Sequence, residues 1–329
     1  MADHVQAQGN ARGRHADGPT DVPARGWKDV LWRVKDEMNR DNITVVAGGV
    51  AFFSLLALFP AIAAMVALYG LIASPQDVAQ QMQTLSGMLP SQAQGIVQTQ
   101  MNSLAQSSST ALGWGVVFSI LFALWSASKG TKSMITALNI AYNERDERSF
   151  IRSTLLTLGL TLGGIVLVLV TLSLIAVVPA VLNIIDLGPV WQWVVRLSRW
   201  PILFAIVIGA LAVLYRVAPD REAPRWQWAS PGAVIAALLW MLGSIAFSVY
   251  VSQFGSYNET YGALAGVVVL MMWLYLTATV ILLGAEINSE LERQTETDTT
   301  TGPREPMGRR GAYSADTVAD RDGRTATRK

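Results

Sequence analysis

The sequence predicts an all-α polytopic membrane protein with six transmembrane helices and both termini cytoplasmic. Three observations carry that prediction. Of the 329 residues, 51% are hydrophobic and only 15% are charged, whereas soluble domains carry about a quarter. The charges collect at the two ends and in short polar breaks, which leaves a middle of apolar stretches. Lys and Arg alternate between those breaks as the positive-inside rule requires of a six-crossing chain.

Residues 1–26 are rich in Gly, Ala, Asp and Arg and hold no apolar run, so they predict a disordered cytoplasmic tail without a secretory signal. Residues 27–43 follow with Trp27, Val30, Leu31, Val34 and Met38 at helical spacing and Lys28, Asp29, Arg33, Lys35 and Asp36 between them. That pattern predicts an amphipathic helix, either lying in the membrane interface or packed on the protein. A transmembrane domain over 44–293 comes next. Its expected spans are 44–72, 111–128, 154–182, 200–215, 230–252 and 262–285, because crossing about 30 Å of hydrocarbon takes about 20 apolar residues. The fourth is short, so either its helix starts inside 191–200 or it sits where the bilayer is thin. Pro60 falls in the middle of the first span and should kink it, while Ser230 and Pro231 look like the cap and first turn of the fifth.

Between the first two spans, residues 73–110 are too long for a turn. Val78, Met82, Leu85 and Leu89, then Ile96, Val97, Met101 and Leu104, predict two short amphipathic helices broken near Pro90, which either cap an outer cavity or lie on the headgroups. The last stretch, 294–329, is Thr, Arg, Asp and Gly without periodicity and predicts a second disordered cytoplasmic tail.

Orientation follows from the cations. Of the 25 Lys and Arg, only Arg196 and Arg199 fall on the outer side of this layout. Trp114, Trp191, Trp193 and Trp200 then lie at outer ends, and Trp226 and Trp228 at an inner end, as interfacial belts do. Cysteine introduced at Ser107 of this cysteine-free chain is therefore expected to react with an impermeant thiol reagent on intact cells, and cysteine at Ser149 is not. Reversed labelling would end the six-span layout. Gly159 with Gly163, Gly262 with Gly266, and the pair Gly48, Gly49 are candidates for close helix contact, expected within the monomer since GxxxG spacing arises often by chance. A homo-oligomer is open on this signal, and no envelope-assembly partner is indicated.

The chemistry is mostly excluded. There is no Cys, and both histidines, His4 and His15, lie in the N-terminal tail, so the core lacks imidazole and thiol bases, nucleophiles and zinc ligands. Lys129, Gly130, Thr131, Lys132 and Ser133 have the residue types of a phosphate-binding loop in the wrong order. Acidic runs such as Glu144, Asp146 and Glu147 read as solvated faces, and no basic stripe with interleaved aromatics suggests nucleic acid. No catalytic residue, cofactor or metal is expected, and the expected partners are membrane lipids. One ionisable group sits at membrane depth. Glu286 ends the sixth span with Asn288 two positions on, near the level of Lys129 and Lys132, and the cluster is either a substrate-binding site or a structural ion pair. Asn139, Tyr142 and Asn143 add polar groups there. At the other end Tyr250, Tyr257, Asn258, Glu259 and Tyr261 either line an opening or form a belt.

Several of these segments are similar to one known family. AGGVAFFSLLALFP from Ala47 to Pro60, LWSASKGTKSMITALNIAY from Leu124 to Tyr142, Tyr215, Arg216 and Pro219, Pro231 and Gly232 with Trp240, and YGALAGVVVLMMWLYLTATVILLGAEIN from Tyr261 to Asn288 resemble the YihY/BrkB membrane proteins. The resemblance runs from about Trp27 to Arg293. Phe53 and Ala57 stand where that family often carries Tyr and Ser. Members long bore a ribonuclease BN label now generally regarded as mistaken, and the missing His and Cys speak against it independently. The resemblance implies an inner-membrane envelope protein, and few charges with a kinked first helix suit a lipid-like substrate better than an ion. A membrane-bound enzyme and a structural envelope protein are the alternatives.

Overall fold

The computed structural model describes residues 12–70, 112–184, 188–252 and 263–319. Its elements are all helices: α1 (Ala24–Arg40), α2 (Ile43–Gly70), α3 (Leu112–Ala141), α4 (Phe150–Ile184), α5 (Gly188–Val217), α6 (Trp226–Ser252), α7 (Ala263–Glu292) and a one-turn α8 (Tyr313–Asp316). Among the described residues no strand forms, and one isolated bridge joins Pro224 to Thr300. Five helices are long and apolar enough to cross a membrane: Ile43–Ile62, Phe150–Ile175, Leu197–Val217, Trp226–Ser252 and Ala265–Glu292. The expected second span falls on α3, which is helical throughout, although its first residues lie outside those whose side chains are described. The predicted outer segment 73–110, with Pro90 and Ser107, also lies outside the described residues, as do Tyr257, Asn258, Glu259, Tyr261 and Gly262.

α7 is the hub, touching α1, α2, α3, α6 and α8, while α2 packs on α3 and α5 on α6. The buried core sits toward one end and consists mostly of small residues: Ala47, Ala137, Ala141, Ala212, Ala233, Ala278 and Ala285 around Ile43, Leu138, Leu282 and Tyr215. Lipid offers no hydrophobic drive for helix association, so contact depends on small side chains that let backbones approach and on interhelical hydrogen bonds. Tyr215 donates to the Ile281 carbonyl at 2.8 Å, Trp240 to Thr277 at 3.1 Å, and Thr161 to Thr131 at 2.8 Å.

Sequence spacing misplaced the close approaches. A Cβ added at Gly48, Gly49, Gly159, Gly163 or Gly266 would meet nothing within 4 Å, whereas one at Gly130 would touch Ser54 and Ala57, and one at Gly232 or Gly284 would collide with the facing helix backbone. Gly284→Ala is therefore expected to destabilise the fold by about 1–3 kcal/mol through overpacking. Gly159→Ala should be neutral or stabilising by up to about 1 kcal/mol, since the helix gains propensity without a clash. Thermal unfolding of the two variants in detergent checks the contrast, and equal unfolding temperatures would refute it.

The N-terminal segment, the turn after α3, the α5–α6 connection and the C-terminal segment converge at one polar end. Arg148 donates to the Ala218 and Pro219 carbonyls and pairs with Asp220 at 3.0 Å. The Tyr313 amide donates to Glu144 at 2.7 Å, and the Glu296 amide to the Arg14 carbonyl at 2.8 Å. Both predicted disordered tails are thus corrected over residues 12–26 and 294–319. Thr295 donates to the Ala16 carbonyl at 2.8 Å, Arg310 to the Ala315 and Glu296 carbonyls at 2.7 and 2.9 Å, and Gln294 to the Arg12 carbonyl at 2.7 Å. Composition predicts disorder because the segment has little apolar area to bury. Here helix ends and loops offer it a dense set of hydrogen-bond partners instead.

One open alternative resolves and two further expectations change. α1 packs on the protein along one face, burying Val30 and Val34 against Trp228, Ile287 and Leu291, while Leu31 and Trp32 stay exposed on the other. Trp228 belongs to that cluster and not to an interfacial belt. Finally, α6 begins at Trp226 with Pro231 inside it, so Ser230 and Pro231 are not its start. The fourth-span helix begins at Gly188, ahead of the expected 191–200.

Candidate functional site

Lys129 and Lys132 stand one turn apart on α3 and line a groove of about 390 Å³ against α2. Val46, Val50 and Phe53 from α2, with Ala137 and Ile140 from α3, form its apolar wall; Ser133 and Thr136 add hydroxyls beside the two ammonium groups. The Lys129 ammonium lies 5.3 Å from the centre of the Trp125 ring and has no carboxylate partner among the described residues. Lys132 is half exposed, donates to Asp146 at 2.8 Å and to Ser153 at 2.7 Å. Partial burial opposes it, but the hydrogen bond and charge of Lys132 hold the Asp146 carboxyl below the usual carboxylate range. α2 and α3 approach this closely because Gly130 presents no side chain to Ser54 and Ala57.

Glu286 is elsewhere. It is fully buried, and neither carboxyl oxygen has a hydrogen-bond partner. Its charged surroundings are Asp41, Glu290 and Glu37, not Lys129 or Lys132. The predicted Glu286 to lysine pair is therefore corrected: both lysines project into the α2–α3 groove, while the helical phase of α7 turns Glu286 toward the α1–α2 junction. Asn288 is structural. Its Oδ1 accepts from the Gly232 amide at 2.7 Å and its Nδ2 donates to the Ala229 carbonyl at 3.1 Å, which staples α7 to α6 where Pro231 interrupts the helical ladder. Asn139 accepts from the Asp220 amide at 2.7 Å and ties α3 to the α5–α6 connection. Tyr261 lies outside the described residues, and Tyr250 is exposed.

The polar cluster around Glu286 went unforeseen. Arg33 donates from Nε to Glu290 Oε2 at 2.5 Å, and from Nη2 to the Glu290 carbonyl and to Gln294 at 3.0 and 2.8 Å. Arg293 bonds to Glu290 and, at 3.2 Å, to Glu37, which also accepts from Arg40 at 2.7 Å. Nearby, Arg221 makes a two-pronged pair with Glu292 at 3.0 and 2.6 Å, and Thr299 donates to the same carboxylate. One sequence signal was available: Glu286, Glu290 and Arg293 recur at helical spacing on one face, as do Arg33 and Glu37 on α1. Asp41 follows α1. Burial and the neighbouring Glu37 push its carboxyl up to about 6 despite the opposing effects of Glu286 and Arg40.

Comparison with known proteins finds relatives along most of the chain. A family model described as virulence factor BrkB matches residues 34–308. The ribonuclease-like protein YfkH of Bacillus subtilis is 31% identical over 249 residues, covering 74% of this chain and 88% of that protein. A UPF0761 membrane protein of Cronobacter sakazakii is 30% identical over 287 residues, 82% of this chain and 89% of its own. Another, from Tolumonas auensis, is 27% identical over 275 residues, 82% and 86% respectively. No solved structure matches the chain.

Proposed function

Since this chain belongs to the virulence factor BrkB family, we propose that it is a six-span protein of the bacterial cytoplasmic membrane, with both termini inside, that accommodates or transports a lipid-like amphiphile of the envelope. The α2–α3 groove carries the reading. Its apolar wall combines Val46, Val50 and Phe53 of the span Ile43–Ile62 with Ala137 and Ile140 of α3, and two ammonium groups share it, Lys132 reaching out to Asp146 of the connection after α3. A lipid presents the same two chemistries together, acyl chains for an apolar wall and an anionic headgroup for paired ammonium groups. The orientation draws support from the convergence of the N-terminal segment, the two inner connections and the C-terminal segment at one end, where nearly all the Lys and Arg lie.

In this reading Lys129 and Lys132 bind the headgroup. A charge-assisted hydrogen bond is worth about 1.5–3 kcal/mol, so replacing either lysine by Gln should weaken retention of phosphatidylglycerol about tenfold or more. Native mass spectrometry of protein loaded with phosphatidylglycerol or phosphatidylcholine measures it. If the parent holds both lipids equally and the double Gln variant matches it, the groove is not a headgroup site. Movement of fluorescent phosphatidylglycerol across proteoliposomes then separates transport from accommodation. The reading is non-enzymatic: a ribonuclease-like name belongs to the relative YfkH, while this chain has no Cys and no His beyond position 15.

A further inference from the structure

At the polar end, neither Asp41 nor Glu286 makes a salt bridge with a described cation. Both oxygens of Glu286 and Oδ2 of Asp41 are buried without a hydrogen-bond donor, and the two carboxyls lie within hydrogen-bonding reach of each other. The charges around them are already engaged. On α1, Arg33 bonds to Glu290, and Arg40 to Glu37. On α7, Arg293 bonds to both Glu290 and Glu37. The Tyr142 phenol faces the site from the end of α3, Glu292 farther along α7 is paired with Arg221, and the Tyr313 ring of α8 lies against Arg293. α2 contributes no charged residue from Ile43 to Gly70. Four carboxyls thus face three guanidiniums.

Two bare carboxylates in contact inside a protein repel strongly, and each is only an acceptor; one proton turns the repulsion into an O–H···O hydrogen bond and removes the excess charge. We propose that Asp41 and Glu286 form a proton-binding site in which the two carboxyls share a single proton. Asp41, half-buried, is its route to solvent. Asp41 also caps α1, and the next residue, Asn42, turns the chain into α2 with φ 51°, the left-handed region that Asn tolerates. Losing the proton places two like charges between this junction and α7, which drives the α1–α2 corner away from the hub helix. The inference stands on the carboxyl geometry and is independent of the groove and its ligand.

The test is thermal unfolding of the full chain in detergent at pH 5 and pH 7.5, for the parent, Asp41→Asn and Glu286→Gln. A carboxyl whose folded-state value lies above its unfolded value contributes stability at low pH that is lost as pH rises through the folded value, here from about 4 to about 6 for Asp41. The parent is expected to unfold a few degrees lower at pH 7.5 than at pH 5, and Asp41→Asn to lose that difference. Asp146 and Asp298 titrate below the window, and Glu144, raised mainly by burial, moves the parent and the variants alike. Infrared difference spectra in heavy water should show a protonated-carboxyl band in the parent that Glu286→Gln removes. If Glu286→Gln does not fold, Asp41→Asn must shift the same band, because it replaces the carboxyl that shares the proton. Identical pH dependence and identical bands in the parent and variants would overturn the site. So would stabilisation of the parent alone by sodium at constant ionic strength, which would make it a metal-cation site.

Discussion

Arg33→Met is expected to destabilise the protein by about 3–5 kcal/mol, the usual cost of removing one partner from a buried ion pair. Arg33 and Glu290 are both almost completely buried, with side chains 2% and 1% exposed, and Arg33 holds the Glu290 carboxylate, its carbonyl and Gln294 together. Without the guanidinium, Glu290 keeps only Arg293, and the Gln294 amide oxygen loses its donor. Arg40→Met is the internal control. Its side chain is 60% exposed, so its bond to Glu37 should be worth no more than about 1 kcal/mol. The double replacement Arg33→Met with Glu290→Met removes both charges and should recover much of the loss. Chemical unfolding in detergent measures all three. If Arg33→Met and Arg40→Met cost the same, the buried network is not what fastens α1 to α7.

Arg221→Met should be comparably severe, about 3–5 kcal/mol, because Arg221 and Glu292 are both fully buried and meet through two hydrogen bonds. Its consequences spread differently. Glu292 also accepts from Thr299, and the Thr299 carbonyl accepts from the Arg225 amide, so this pair anchors the start of the C-terminal segment. Limited proteolysis of Arg221→Met is therefore expected to cut within 294–319 well before the parent is cut there, whereas Arg33→Met loosens α1 first. A variant with parental stability and a parental digestion pattern would show that the segment is held by its other contacts.

Hydropathy is a property of each segment alone, and it was legible. The helices over Ile43–Gly70, Phe150–Ile184, Gly188–Val217, Trp226–Ser252 and Ala263–Glu292 follow from apolar runs that no soluble fold would leave so uninterrupted. The candidate site was legible in part: Lys129 and Lys132 were singled out for their depth and do share a groove, but their supposed partner Glu286 points elsewhere. A position on a span reports depth in the membrane and not the azimuth of the side chain. Two residues of helical phase, about 200°, are enough to turn a carboxyl from one neighbouring helix to another.

Composition misled at the two ends. Gln294, Thr295, Thr299 and Ser314 are polar residues that would be solvated in isolation, yet each is buried here. Disorder was inferred from what the segment cannot bury by itself, and order came from hydrogen-bonding groups on helix ends far away in the chain.

Period and composition are local quantities, so the sequence by itself determined that the chain is helical with several membrane-length apolar segments, and that its core lacks His and Cys. Partner choice is not local. Arg33 meets Glu290 across 257 positions and Gly232 meets Asn288 across 56, and those pairings exist only because α7 is the helix around which α1, α2, α3 and α6 close. The tertiary structure alone decided that glycines 232 and 284, not 159 and 163, carry the close packing, and that Glu286 faces Asp41. Which atoms touch depends on helix rotation and on the approach that small side chains permit, and neither is written in the hydropathy of a single span.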